Sequence, residues 1–174
     1  MPSDTVLLSD TGHSGVWTGS MVDFKYPGQS FLRCAGSLGW GIPAAIGAKC
    51  AVPERPVVCF TGDGGVYYHL TELDTALRYG INPVFVVNNN SSLNQEQGGV
   101  EGVYGSRNKE TDEKWILSEI HFDKVAESLG CFGIQVSKPS EFQGALEQAL
   151  KSGKPALIDV KTHIEGIAPQ AWLP

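Results

Sequence analysis

Basic excess is the first thing this 174-residue chain lacks: 13 lysines and arginines stand against 19 aspartates and glutamates, a formal net charge of −6. A polyanion such as nucleic acid finds no general attraction to such a surface. A phosphorylated small molecule would need local devices to hold it: helix N-termini, backbone N–H groups or a metal ion. Long apolar runs are missing too. None approaches the roughly eighteen residues a membrane-spanning helix requires, so no membrane association is expected. The first residues, Met1-Pro2-Ser3-Asp4, carry neither the basic stretch nor the apolar core of a secretory leader. Cysteine is sparse. Cys34, Cys50, Cys59 and Cys131 show no CxxC spacing, and three of them lie in apolar runs, as reduced core thiols would. The expected compartment is the cytoplasm. His69, His121 and His163 show no metal-ligand spacing and are read as structural.

What the chain does have is alternation. Short apolar runs rich in Val, Ile, Leu and Phe predict strands over Thr5–Leu8, Phe31–Cys34, Val57–Thr61, Val84–Asn88, Gly133–Val136 and Ala156–Lys161. Helical patterns lie between them, over Ser14–Asp23, Pro43–Cys50, His69–Tyr79, Phe122–Leu129 and Ser140–Ser152. Pro43 fits a first helical position, Gly80 a C-terminal stop, and Ser140 with Gln143 a capping box. Strand–helix alternation of this kind predicts one α/β domain over residues 1–174, a doubly wound parallel sheet with helices on both faces. A tail, Ile164–Pro174, follows the last strand. It either packs along the domain or folds over a ligand cleft, and packing is the preferred reading for its Trp172.

The segment from Asn89 to His121 is polar and glycine-rich. So long a connection inside a compact domain is usually functional or mobile, and Asn94–Glu119 is expected to be mobile. It begins where a strand ends, the place at which open α/β sheets bind ligands.

Two strand ends carry the chemistry. Val57–Gly65 reads VVCFTGDGG, a buried strand running into three glycines and an acid. Alone, Gly62-Asp63-Gly64 is more readily an Asp-Gly turn that caps the next helix. The next apolar strand, however, runs into Asn88-Asn89-Asn90, and Asn90 stands 27 residues after Asp63. One helix and one strand fill that interval, so both side chains reach the same edge of the sheet. A carboxylate, a carboxamide oxygen and a loop carbonyl are hard oxygen donors suited to Mg2+ with phosphate oxygens and water.

GDG, this interval and an asparagine pair after a strand resemble the signature of thiamine-diphosphate enzymes. The surrounding pattern is similar to the diphosphate-binding domain of the acetolactate-synthase and 2-oxo-acid-decarboxylase group. That resemblance implies thiamine diphosphate and Mg2+ as cofactors, with Asp63, Asn90 and the carbonyl of Ser92 on the metal. It implies further contacts from Gly62, from the N–H groups of Gly64 and Gly65, and from Leu93 and Asn94. Gly36-Ser37-Leu38 resembles the family's second cofactor segment, in which the Gly36 carbonyl would accept from the cofactor's 4′-amino group and Leu38 would wedge the cofactor into its bent form. Read without the resemblance, Leu38 fits the core equally well. Asp10-Thr11-Gly12-His13-Ser14 resembles the family's first phosphate segment. Acetolactate synthases carry Gly-Gln-His where this chain has Gly-His-Ser, so either His13 or Ser14 donates to phosphate.

The family's activating glutamate belongs to a separate pyrimidine-binding domain, and nothing in this sequence resembles that domain or the flavin-bearing middle domain. No catalytic side chain is therefore expected here. The resemblance implies half of an active site for a carboligase or decarboxylase acting on a 2-oxo acid, in a homo- or hetero-oligomer with a pyrimidine-binding partner. A non-catalytic, cofactor-binding or regulatory subunit is the alternative.

Overall fold

A computed structural model describes residues 1–169 of the chain, so Trp172 falls outside the described residues. Six strands form one sheet: β1 (Val6–Ser9), β2 (Ser30–Arg33), β3 (Val57–Gly62), β4 (Val84–Asn89), β5 (Phe132–Val136) and β6 (Ala156–Lys161). All are parallel, in the order β2-β1-β3-β4-β6-β5. The expected doubly wound α/β sheet is present. Side chains that alternate along each strand build two cores. Val6, Leu8, Cys59, Phe85 and Val87 pack under α2 (Gly41–Ala51), α4 (Glu72–Arg78) and α7 (Phe122–Ser128). Leu7, Val58, Val86 and Ile158 pack on the other face, where α8 (Pro139–Lys151) contributes Ala145 and Ala149. Each fully buried Val, Leu or Phe stabilises by about 1.5–3 kcal/mol, so the four central strands are the rigid part. Edge strand β2 exposes Phe31 and Leu32.

The predicted helices depart from expectation in three places. Where one helix was predicted over His69–Tyr79 there are two, α3 (Asp63–His69) and α4, and α3 begins on the glycine turn itself. Helix α2 starts at Gly41, which puts Pro43 third rather than first. That position is still in the first turn, where the missing N–H has no intrahelical acceptor to lose. Helix α8 starts at Pro139, so the predicted Ser140–Gln143 box gives way to Glu141, whose Oε2 accepts from Ser137 N–H at 3.0 Å and Lys138 N–H at 3.1 Å. Gly80 does terminate α4, at φ 64°.

The long connection, for which no helix was predicted, has structure of its own. It holds a 3-10 turn (Asn94–Glu96), α5 (Gln97–Tyr104) and α6 (Lys109–Asp112). Trp115, 1% exposed, pins it down. Leu93 N–H donates to the Trp115 carbonyl at 2.7 Å, and Leu117 N–H to the Ser91 carbonyl at 2.8 Å. Among the described residues no helix is long and apolar enough to cross a membrane.

Candidate functional site

From β1 the chain crosses to β2 at the edge, then returns past β1 to β3. The strand order reverses there, and open sheets bind ligands outside the carboxyl ends of strands at such a point. A cavity of about 430 Å3 opens at this spot, lined by residues that follow β1, β2, β3 and β4.

At one side of it three loops meet. Asp63, 3% exposed, accepts Gly64 N–H on Oδ1 at 2.8 Å and Ser92 N–H on Oδ2 at 3.0 Å. Ser92 Oγ donates to Asn90 Oδ1 at 2.8 Å. Between Asn90 and Ser92, Ser91 takes φ 55°, the one left-handed non-glycine among the described residues; such a conformation is held only where its surroundings fix it. Here the fixing groups are named: Asn89 Oδ1 accepts Ser91 N–H at 3.3 Å, and Asn89 Nδ2 donates to Asp159 Oδ1 at 2.8 Å. Burial raises the Asp63 carboxyl above its ordinary range, opposed by N–H groups of Gly64, Ser92, Ser91 and Asn90. A buried carboxylate with lone pairs left over is a group that a cation stabilises.

The remaining walls are backbone and small side chains. Helix α3 and helix α1 (His13–Met21) both start at the cavity, bringing first-turn N–H groups that lack intrahelical acceptors. A Cβ on Gly65 would stand 2.7 Å from Thr61 Oγ1, so the chain there tolerates no larger residue without moving. Partial burial lowers the His13 imidazole below its usual value, which favours its neutral form.

Of the residues expected at the cofactor, His13, Ser14, Gly36, Leu38, Gly62, Asp63, Gly64, Gly65, Asn90, Ser92, Leu93 and Asn94 all line the cavity. Ser37 does not; its carbonyl accepts from Cys34 Sγ at 3.4 Å. Sequence reasoning missed Arg33, Gln95 and Glu96, which also line it. It also missed the part played by Asp10, which is wholly buried. Asp10 Oδ1 accepts Thr11 N–H at 2.7 Å and Gly39 N–H at 3.1 Å, and Oδ2 accepts Gly41 N–H at 2.8 Å. One carboxylate thus ties the end of β1 to the Gly36–Gly41 loop and caps α2. An acid one residue past a buried strand, ahead of a glycine-rich loop, was the available signal. His121, read as isolated, lies with Asp123 and Asp159, one ligand atom of each within 4.8 Å of the others. These acids sit at the start of α7, where Asp159 Oδ2 accepts Phe122 N–H at 3.1 Å; negative charge at a helix N-terminus is sufficient reason for them.

Residues 10–160 match the family described as "Thiamine pyrophosphate enzyme, C-terminal TPP binding domain". The chain belongs to this family. Among its relatives is the acetolactate synthase isozyme 3 large subunit of Escherichia coli (strain K12), 36% identical over 151 residues, 85% of this chain and 25% of that protein. The acetolactate synthase large subunit of Haemophilus influenzae is 38% identical over 131 residues, 75% of this chain and 22% of that protein. A probable acetolactate synthase large subunit of Methanocaldococcus jannaschii is 33% identical over 159 residues, 90% and 26% respectively. The chain therefore spans about a quarter of the length of these relatives. The donor set of this TPP-binding domain fits a Mg2+-bridged diphosphate. Every polar donor at the Asp63–Asn90–Ser92 corner is a hard oxygen. Asn94 Oδ1 is also buried with no hydrogen-bond partner, while its Nδ2 donates to the carbonyls of Ile164 and Gly166.

Proposed function

We propose that this chain is the diphosphate-binding half of a thiamine-diphosphate-dependent carboligase or decarboxylase that acts on a 2-oxo acid, in the manner of acetolactate synthase. The observation that carries the proposal is the convergence of Asp63, Asn90 and Ser92 on one corner of the cavity, joined by hydrogen bonds from Ser92 to the other two. On this reading Asp63, Asn90 and the Ser92 carbonyl hold Mg2+. Gly64, Gly65 and the start of α1, with His13 and Ser14, receive the diphosphate. The Gly36–Leu38 segment, steadied by Asp10, cradles the aminopyrimidine. When bound, the cofactor supplies the electron sink for bond cleavage next to a 2-oxo group.

The chain's own contribution is to bind, orient and exclude water, with residues 1–174 acting as one cofactor-binding domain. The activating glutamate comes from a pyrimidine-binding domain or subunit, within a cytoplasmic oligomer. Calorimetry with thiamine diphosphate and Mg2+ tests the reading. Wild type takes up the cofactor only with the metal, and Asp63→Ala or Asn90→Ala loses it while keeping the fold. Unchanged binding by Asp63→Ala sinks the assignment.

A further inference from the structure

Resting on that reading, one charged group in the cavity has no part yet. The lining carries two acids, Asp63 and Glu96, and a histidine shifted toward its neutral form; Arg33 is its one fixed cation among the described residues. Arg33 closes β2, in register with Ser9 of β1, so it stands at the carboxyl edge with the phosphate-side loops. Its guanidinium lies flat against Gly15, in the first turn of α1: a Cβ there would stand 2.8 Å from Cζ, Nε and Nη2. The space that a side chain at position 15 would fill is thus filled by a positive charge from the neighbouring strand.

Arg33 is exposed and water screens its charge, so the placement is only mildly unfavourable, but it is unfavourable. A helix N-terminus is the positive end of its dipole, and cations are disfavoured there. No ion pair compensates Arg33 among the described residues. A cation and a helix N-terminus facing one cavity make sense together when an anion lies between them. We infer that Arg33 binds the diphosphate of the cofactor from the side opposite the metal corner, as a guanidinium delivered over Gly15. It offsets in the wild type the acidity that Asp63 and Glu96 bring to the cavity.

The test is titration of wild type, Arg33→Gln, Arg33→Lys and Gly15→Ala with thiamine diphosphate at fixed Mg2+, with thiamine, which lacks the diphosphate, as the control ligand. Arg33→Gln is expected to raise the Kd for thiamine diphosphate about ten- to a hundredfold, the size of a lost hydrogen bond to a charged group, and to leave thiamine unaffected. Arg33→Lys keeps the charge and part of the affinity, and serves where Arg33→Gln folds poorly. Gly15→Ala keeps the arginine but dislodges it, and weakens the same ligand. Arg33→Gln binding within twofold of wild type overturns the inference, as does an equal loss for both ligands, which marks Arg33 as a structural prop. A wild-type chain that takes up no cofactor overturns the functional reading itself, and this inference with it; the two failures appear in different samples.

Discussion

Asp63 and Ser92, 29 residues apart in sequence, share a 3.0 Å hydrogen bond from the Ser92 N–H to Asp63 Oδ2. The two loops that hold the proposed metal are therefore locked to each other by the chain alone. Little reorganisation remains for a ligand to drive, which favours tight binding.

That preorganisation leaves a buried charge uncompensated until a cation arrives. Burial raises the Asp63 carboxyl, so the folded state holds its proton more tightly than the unfolded chain does. Its contribution to stability is complete below the unfolded value of about 3.9 and is lost as pH rises through the higher folded value. The cofactor-free wild type should therefore lose ground to Asp63→Asn as pH climbs from about 4 toward neutrality. Paired thermal melts across that window check this; a wild-type Tm that holds or rises relative to that of Asp63→Asn with rising pH refutes it.

Asp10 should matter for stability as much as for the site. Asp10→Ala leaves three N–H groups, of Thr11, Gly39 and Gly41, without their acceptor. At about 1–3 kcal/mol for an orphaned buried group, a loss of about 2–5 kcal/mol and a fall in Tm of roughly 5–15 °C are expected. Gly41→Ala should also destabilise, because its Cβ would stand 2.9 Å from both Asp10 Oδ2 and Cys59 Sγ. An Asp10→Ala melt within a degree or two of wild type would contradict the tie between β1 and α2.

Hydrogen exchange should divide the long connection in two. Helix α5 buries none of its residues, so its amides should exchange rapidly in the free chain. The strip from Trp115 to Leu117, bonded to Ser91 and Leu93, should be protected. Adding thiamine diphosphate and Mg2+ should slow residues near Asn90–Glu96. Uniformly fast exchange from position 90 to 117 would mean that Trp115 does not anchor the segment.

Activity should need a second component. The isolated chain is expected to turn over no 2-oxo acid, even with saturating cofactor and metal. Supplying the cognate pyrimidine-binding domain should restore turnover, and replacing that domain's activating glutamate by glutamine should remove about a hundred- to ten-thousandfold of it. Substantial pyruvate decarboxylation or carboligation by the chain alone would end the half-site reading.

The central strands were legible because they are buried on both faces: runs such as Val84–Val87 carry no polar residue to blur the pattern. The convergence of Asp63 and Asn90 on one cavity was legible because both side chains stand at the ends of neighbouring strands. What stayed hidden was decided by tertiary contact. Gly64 and Gly65 are poor helix formers, yet α3 begins on them because Leu93 and Thr61 crowd the place where any Cβ would go. Gly98, Gly99 and Gly102, also poor helix formers, masked α5, although open space surrounds each of them. Trp115 gave no local sign that it would be buried, and Arg33 none that its partner would be the empty side of Gly15.

The geometry of the sheet has a practical consequence at its other edge. All loops of the cavity leave the carboxyl ends of strands, so the amino ends are free of that duty. Helix α2 runs back to that side and delivers Cys50, the only exposed thiol among the four; Cys59 and Cys131 are buried, Cys34 partly so. With Cys34 replaced by serine, Cys50 becomes a single attachment point a full helix away from the ligand. A dye or surface tether placed there can report cofactor uptake without touching the residues that line the cavity.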